Sequence, residues 1–180
     1  MKRTVALILS WPLKLIMKLR FGKRIKFGKN VILNHKFRFQ GKGTLEVGDN
    51  CNLYAHEEAT RFLTFNKEAK ITIGKGTRLN GTTFQCKSSI EIGEDCLIGS
   101  AMLIDTDFHS IYHEHRNDPA HIKSKPIKIG DRCWLAGQST ILKGVTVGNE
   151  SVVAFRALVT KDVPEKVVVA GNPAKVVKEI

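Results

Sequence analysis

Residues 129–159, IGDRCWLAGQSTILKGVTVGNESVVAFRALV, carry an aliphatic side chain at every sixth position: Ile129, Leu135, Ile141, Val147, Val153 and Val159. This period is neither the 3.6 of an amphipathic helix nor the two of an ordinary strand. Upstream, Ile92, Ile98 and Ile104 keep the same rhythm, and the pairs Val47/Leu53 and Ile73/Leu79 repeat it. Glycine follows many of these positions, at Gly48, Gly74, Gly93, Gly99, Gly130 and Gly148. Each six-residue unit is expected to be a short strand plus a corner, the aliphatic side chain pointing at the axis and the glycine supplying the tight backbone of the turn. Three units close a triangular coil of eighteen residues, as from Ile129 to Val147. Stacked coils then pair as parallel strands around one apolar column. The twenty-six residues from Val47 to Ile73 require an insertion in that coil. The sequence thus predicts an all-β chain, a parallel β-helix.

The cysteines obey the same frame. Cys51, Cys96 and Cys133 each lie four residues after a repeat aliphatic, as does Ser151. This predicts small interior residues rather than ligands or nucleophiles. None of the four cysteines, Cys86 included, forms a C-x-x-C pair, which argues against a zinc ribbon or a redox motif.

Charge divides the chain unequally. No acidic residue precedes Glu46, and that stretch holds twelve of the chain's 29 bases. The remaining seventeen are matched by the chain's 17 acids. Residues 4–19, TVALILSWPLKLIMKL, are apolar but interrupted by Lys14 and Lys18. They are too short for a membrane span of roughly 20 apolar residues and lack the cleavage site of a secretory signal. A basic amphipathic segment over residues 1–26, lying on an anionic membrane surface, is the expectation, with residues 27–180 forming the β-helix domain. A helix that packs on the domain or its neighbour is the alternative. Nucleic acid is disfavoured because no aromatics interleave with the bases. Pro12 is expected to break or kink the helix. Without an export signal, a cytoplasmic location with reduced thiols is expected, peripheral to the inner face of the membrane.

From Ile129 to the end, the sequence IGDRCWLAGQSTILKGVTVGNESVVAFRALVTKDVPEKVVVAGNPAKVVKEI resembles the C-terminal half of the hexapeptide-repeat acetyltransferases, which include maltose, galactoside and polysaccharide O-acetyltransferases. The resemblance is strong over residues 91–180 and weaker over 47–90. It implies a left-handed β-helix, a hand that comes from the resemblance alone because ordinary parallel crossovers are right-handed. It further implies a homotrimer with active sites between subunits, acetyl-CoA as the acyl donor and a sugar or glycan acceptor.

Taken alone, His109 is one loop histidine beside His113, His115 and His121. The resemblance makes it the catalytic base, because Asp105-Thr106-Asp107-Phe108-His109 matches the family's D-x-D-x-H position. The chemistry asks for such a group: neutral imidazole can take the proton of a sugar hydroxyl as it attacks the thioester. A carboxylate on the other ring nitrogen would orient it, and Asp105 and Asp107 are both candidates, on one face with His109 if the segment is extended. Residues 110–125 are expected to leave the coil as a loop, with the repeat resuming at Ile127. Histidines crowded in one loop do not suit a three-histidine metal site spread over coils, so no metal is expected.

By the same matching, Trp134 walls the donor site, Ala136 and Gly137 flank the thioester, Thr160 and Lys161 lie near the nucleotide, and Lys175 and Lys178 meet phosphates. A backbone N–H near Gly137 would hold the oxyanion. Ala154-Phe155-Arg156-Ala157 departs from the family's small residues, and Phe155 would narrow the pantetheine groove or stack on adenine. The function expected is O-acetylation of a sugar in surface polysaccharide synthesis. An N-acetyltransferase acting on an amino-sugar nucleotide is the alternative acceptor class. A non-catalytic scaffold is the alternative of another kind, and a D-x-D-x-H loop argues against it.

Overall fold

The computed structural model describes residues 3–180. A helix, Arg3–Phe21, is followed by short strands that fall into three sheets. The first face runs from Ile25–Phe27 to Thr146–Val147, the second from Ile32–Leu33 to Ala174–Glu179, and the third from Phe37–Gly41 to Leu158–Val159. The chain visits the faces in turn, so each sheet is built from strands of successive coils, parallel throughout except for the last strand. This is the triangular coil that the repeat predicts: Ile129, Leu135 and Ile141 lie on the three faces in order, and Val147, Val153 and Val159 repeat them eighteen residues later. All six are buried.

Each face contributes an aligned column to the core. Ile71, Ile90 and Ile127 are paired neighbours on the first face. On the third, Phe62 and Phe84 stack with centroids 4.8 Å apart, an arrangement that fills the wider early coils. Val47 pairs with Ile73, twenty-six residues on, confirming the lengthened coil. Cys51, Cys96 and Cys133 are buried in one corner column with Thr77 and Ser151. Their polar atoms approach carbonyls of the neighbouring coil, as Cys133 Sγ does Gly148 O at 3.1 Å and Ser151 Oγ does Pro164 O at 2.7 Å.

The repeat glycines act differently from expectation. The left-handed backbone of the first corner sits two residues later, on Asn50, Asp95, Arg132 and Glu150. The glycines are needed for close approach between coils. A Cβ at Gly93 would lie 2.4 Å from Asp131 Oδ1 and 2.6 Å from the Gly130 backbone. The same contact lets Asp131 Oδ1 accept from Glu94 N–H at 2.8 Å, tying one corner to the next.

The N-terminal helix closes the open end of the stack. Ala6 and Ser10 are buried, and Leu13, Met17 and Phe21 pack on the first coil, Phe21 edge-on to Phe39 at 5.0 Å. Ser10 Oγ accepts from the Leu33 N–H at 3.0 Å and Lys14 Nζ donates to Val31 O at 3.1 Å, satisfying edge groups that no strand pairs. Burial pushes the Lys14 ammonium below its ordinary range. Pro12 neither breaks nor ends the helix, which continues to Phe21. It is exposed on the outward side, away from the first coil. Ile25 already belongs to the core, so the first strand starts two residues inside the segment 1–26. No helix among the described residues is long and apolar enough to cross a membrane.

Candidate active site

The repeat is interrupted once by a long excursion, between Met102–Ile104 on the third face and Ile127–Ile129 on the first. Its base is a small antiparallel bridge, Thr106 to Ser124, closed by Asp107 N–H to Lys123 O at 3.0 Å and Lys125 N–H to Asp105 O at 2.9 Å. The loop therefore leaves and re-enters at one edge of the prism. Two 3-10 turns, His113–His115 and Pro119–His121, shape its far end.

His109 stands on this loop with its ring exposed. Phe108 before it adopts φ +61°, and its ring packs edge-on against Phe65 at 4.8 Å. That left-handed residue breaks the alternation on which a shared face for Asp105, Asp107 and His109 depends. Asp105 is fully buried, and its carboxylate accepts the Lys87 and Ser88 N–H groups at 2.7 Å each. Burial raises its carboxyl above the ordinary carboxylate range, with those two N–H groups opposing the shift. Asp107 forms an ion pair with Lys143 of the next coil. Neither carboxylate is bonded to His109. The imidazole's partner is Asn117, whose Oδ1 lies 3.1 Å from Nδ1. Asn117 carries no sequence signal, because the loop's fold alone brings it across to His109.

His115 and His121, on the same loop, gather around Asp118. Asp118 caps the second turn through Ala120 N–H at 3.0 Å and meets His121 Nδ1 at 2.8 Å, and these contacts hold its carboxyl below the ordinary range. His115 stacks on His121 at 3.9 Å. His115, Asp118 and His121 have donor atoms within 4.8 Å of one another. All three belong to one loop, not to adjacent coils.

The residues matched to the donor lie on two edges. Trp134 projects from the outer surface of the second face, and Ala136 and Gly137 form the corner between the second and third faces. Phe155 sits at the same corner one coil later, its ring about 3.6 Å from where a Gly137 side chain would begin. It is exposed, so it lies beside the corner rather than blocking the core, with the Arg156 guanidinium over its ring at 5.2 Å. No main-chain carbonyl among the described residues takes the Gly137 N–H. Thr160 and Lys161 instead occupy the corner between the third and first faces, the edge from which the His109 loop emerges. Lys175 and Lys178 are exposed on the antiparallel terminal strand, paired with Ala170 and Val168. One chain thus presents His109, Thr160 and Lys161 along one edge, and Trp134, Ala136, Gly137 and Phe155 along another. A concavity of 740 Å³ runs over the first face beside Glu91, Lys128 and Asp131 and includes neither group.

The cysteines lie inside the prism. All four are free and buried. Burial pushes the Cys51 thiol up to about 11, and burial beside Asp105 raises that of Cys86.

Comparison with known proteins accords with this architecture. A sequence profile for the hexapeptide repeat of succinyl-transferase matches residues 126–154. WcaF of Escherichia coli K12, named as an acetyltransferase of colanic acid biosynthesis, is 31% identical over 97% of this chain and 82% of its own length. Fold and sequence together define the class: the chain belongs to the hexapeptide-repeat acetyltransferases, whose solved members give the β-helix its left hand. The galactoside O-acetyltransferase of the same bacterium is 34% identical over 64% of this chain, which spans only 57% of that protein's length. A galactoside acetyltransferase solved with coenzyme A superposes with a TM-score of 0.60 at 28% identity, covering 93% of this chain and 69% of that one.

Proposed function

We propose that this protein transfers an acetyl group from acetyl-CoA to a hydroxyl of a sugar unit in surface-polysaccharide synthesis, with His109 as general base. The observation that carries this reading is the pairing of His109 with Asn117 at an exposed edge. With Nδ1–H donating to Asn117, the neutral ring offers its Nε2 lone pair to an incoming hydroxyl. The colanic acid and galactoside relatives support a sugar hydroxyl as acceptor, and the coenzyme A complex supports the donor.

In this mechanism Nε2 accepts the hydroxyl proton as the oxygen attacks the thioester carbonyl. The tetrahedral intermediate holds its negative charge against the Gly137 N–H. Collapse breaks the C–S bond, and the imidazolium returns its proton to the departing thiolate. Nothing is left on the protein, in keeping with the burial of all four cysteines. The separation of the two groups of residues onto different edges supports a site built from two chains of a homotrimer, His109 from one and the Trp134–Gly137 corner from its neighbour. Phe155 then flanks the pantetheine arm, Thr160 and Lys161 approach the nucleotide, and Lys175 and Lys178 meet phosphates as point charges.

The test is acetyl-CoA turnover against free, nucleotide-linked and lipid-linked sugars, with the product treated with mild alkali. An acetyl ester is released by alkali and an amide is not. Ester product on a glycan acceptor is expected. Amide product on an amino-sugar nucleotide would replace the O-acetyl assignment, and no turnover with any sugar would overturn it.

A further inference from the structure

The N-terminal helix has two apolar faces, and the β-helix uses only one. Ala6, Ser10, Leu13, Met17 and Phe21 lie on the side turned to the first coil. On the opposite side, Val5, Ile8, Leu9, Leu15, Ile16 and Leu19 are exposed, Ile8 at 67% and Leu19 at 78%. Placed at about 100° per residue, these side chains with Thr4, Trp11 and Pro12 fill an uninterrupted arc of about 160°. No charged residue falls within it. Arg3, Lys14 and Lys18 border one side and Arg20 the other. An ordinary surface helix carries its polar residues where this one carries leucine and isoleucine.

Seven large apolar side chains exposed on a single helix form a patch that water does not tolerate without a use. The rest of the chain does not cover it, because the helix already closes the end of the stack and its far side points away from the coils. The charge around the patch identifies the occupant. The first 45 residues hold no acidic group, so the apolar arc is rimmed by cations alone. Trp11, 64% exposed, stands at the arc's margin beside Lys18, where an indole ring belongs at the depth of lipid headgroups.

We propose that this helix lies flat on an anionic bilayer, its outward arc in the acyl boundary and its bordering Arg and Lys among the headgroup phosphates. The β-helix then stands on the membrane by its capped end. The proposal does not depend on the acetyltransfer assignment, and its test does not use activity.

The experiment is co-sedimentation of the full chain with phosphatidylcholine vesicles, with and without about one third phosphatidylserine, at low and high salt. Binding to the phosphatidylserine vesicles is expected, falling at least tenfold on pure phosphatidylcholine and weakening in high salt. Ile8→Glu with Leu19→Glu should abolish it, and Lys18→Glu with Arg20→Glu should reduce it at least tenfold. None of the four positions is buried, though Arg20 lies over the Phe21 ring, so an unchanged thermal midpoint is required of each variant, and one pair serves if the other fails to fold. On binding, Trp11 emission should shift to the blue in a Trp134→Phe background. Failure of the full chain to sediment with anionic vesicles would overturn the proposal, as would equal binding by the folded variants. A change of oligomer size in the Glu variant without any vesicle binding would assign the face to a protein partner instead.

Discussion

The Nδ1 atom of His109 and the Oδ1 atom of Asn117 stand 3.1 Å apart across the loop, while the nearby carboxylates of Asp105 and Asp107 are committed elsewhere. An uncharged amide therefore orients the proposed base. Asn117→Ala is expected to lower kcat about fivefold to tenfold, the worth of one neutral hydrogen bond, with KM for acetyl-CoA little changed. Steady-state kinetics check this. Unchanged kcat would show that the ring needs no partner in the reactive state.

Asp105 is a structural residue in this account. Asp105→Asn replaces one acceptor with a donor against two N–H groups, and should cost about 1–3 kcal/mol of stability at neutral pH with kcat preserved in the folded enzyme. Its raised carboxyl also fixes a pH trend. A carboxyl that binds its proton more tightly folded than unfolded makes stability fall as pH rises from about 4 through the raised value. Denaturation across that window should show this slope in the parent protein relative to Asp105→Asn. Loss of turnover without loss of stability would return Asp105 to the catalytic site.

Acetyl transfer without an acyl-enzyme requires that the thiols take no part. The folded protein should resist alkylation near pH 8, and the unfolded chain should accept four labels, one per cysteine. Intact-mass measurement decides between them. An acetylated side chain that turns over with acceptor would contradict direct transfer.

Two edges supplying one site predicts complementation between chains. His109→Ala and Gly137→Val should each be inactive, the second because a branched side chain meets the Phe155 ring and crowds the corner. Mixed oligomers made by co-expression should regain activity, since some interfaces then pair an intact His109 with an intact Gly137. Mixed assemblies that remain inactive would place the whole site within one chain.

The hexapeptide period made the three faces, the core column and the buried cysteines legible, because each side chain's direction follows from its place in a six-residue unit. The role of the glycines was not legible. Sequence cannot distinguish a glycine needed for positive φ from one needed because, as at Gly93, the next coil's backbone lies within 3 Å of its missing side chain. The loop was legible as an interruption and not as a geometry. Phe108 turns the backbone left-handed, Asp105 turns inward to cap Lys87 and Ser88, and Asn117 returns to His109 from eight residues away. The pattern reads the apolar N-terminal residues together as a membrane-facing set, whereas the helix spends Leu13 and Met17 on the β-helix and leaves Ile8 and Leu19 outside.

The central claim is that His109 removes the acceptor proton. The most direct measurement is kcat of purified His109→Ala with acetyl-CoA and a turned-over sugar acceptor, alongside its thermal midpoint and oligomer size. The account predicts a loss of about 10²–10⁴-fold in kcat with fold and assembly intact. Turnover within a few-fold of the parent protein would contradict it.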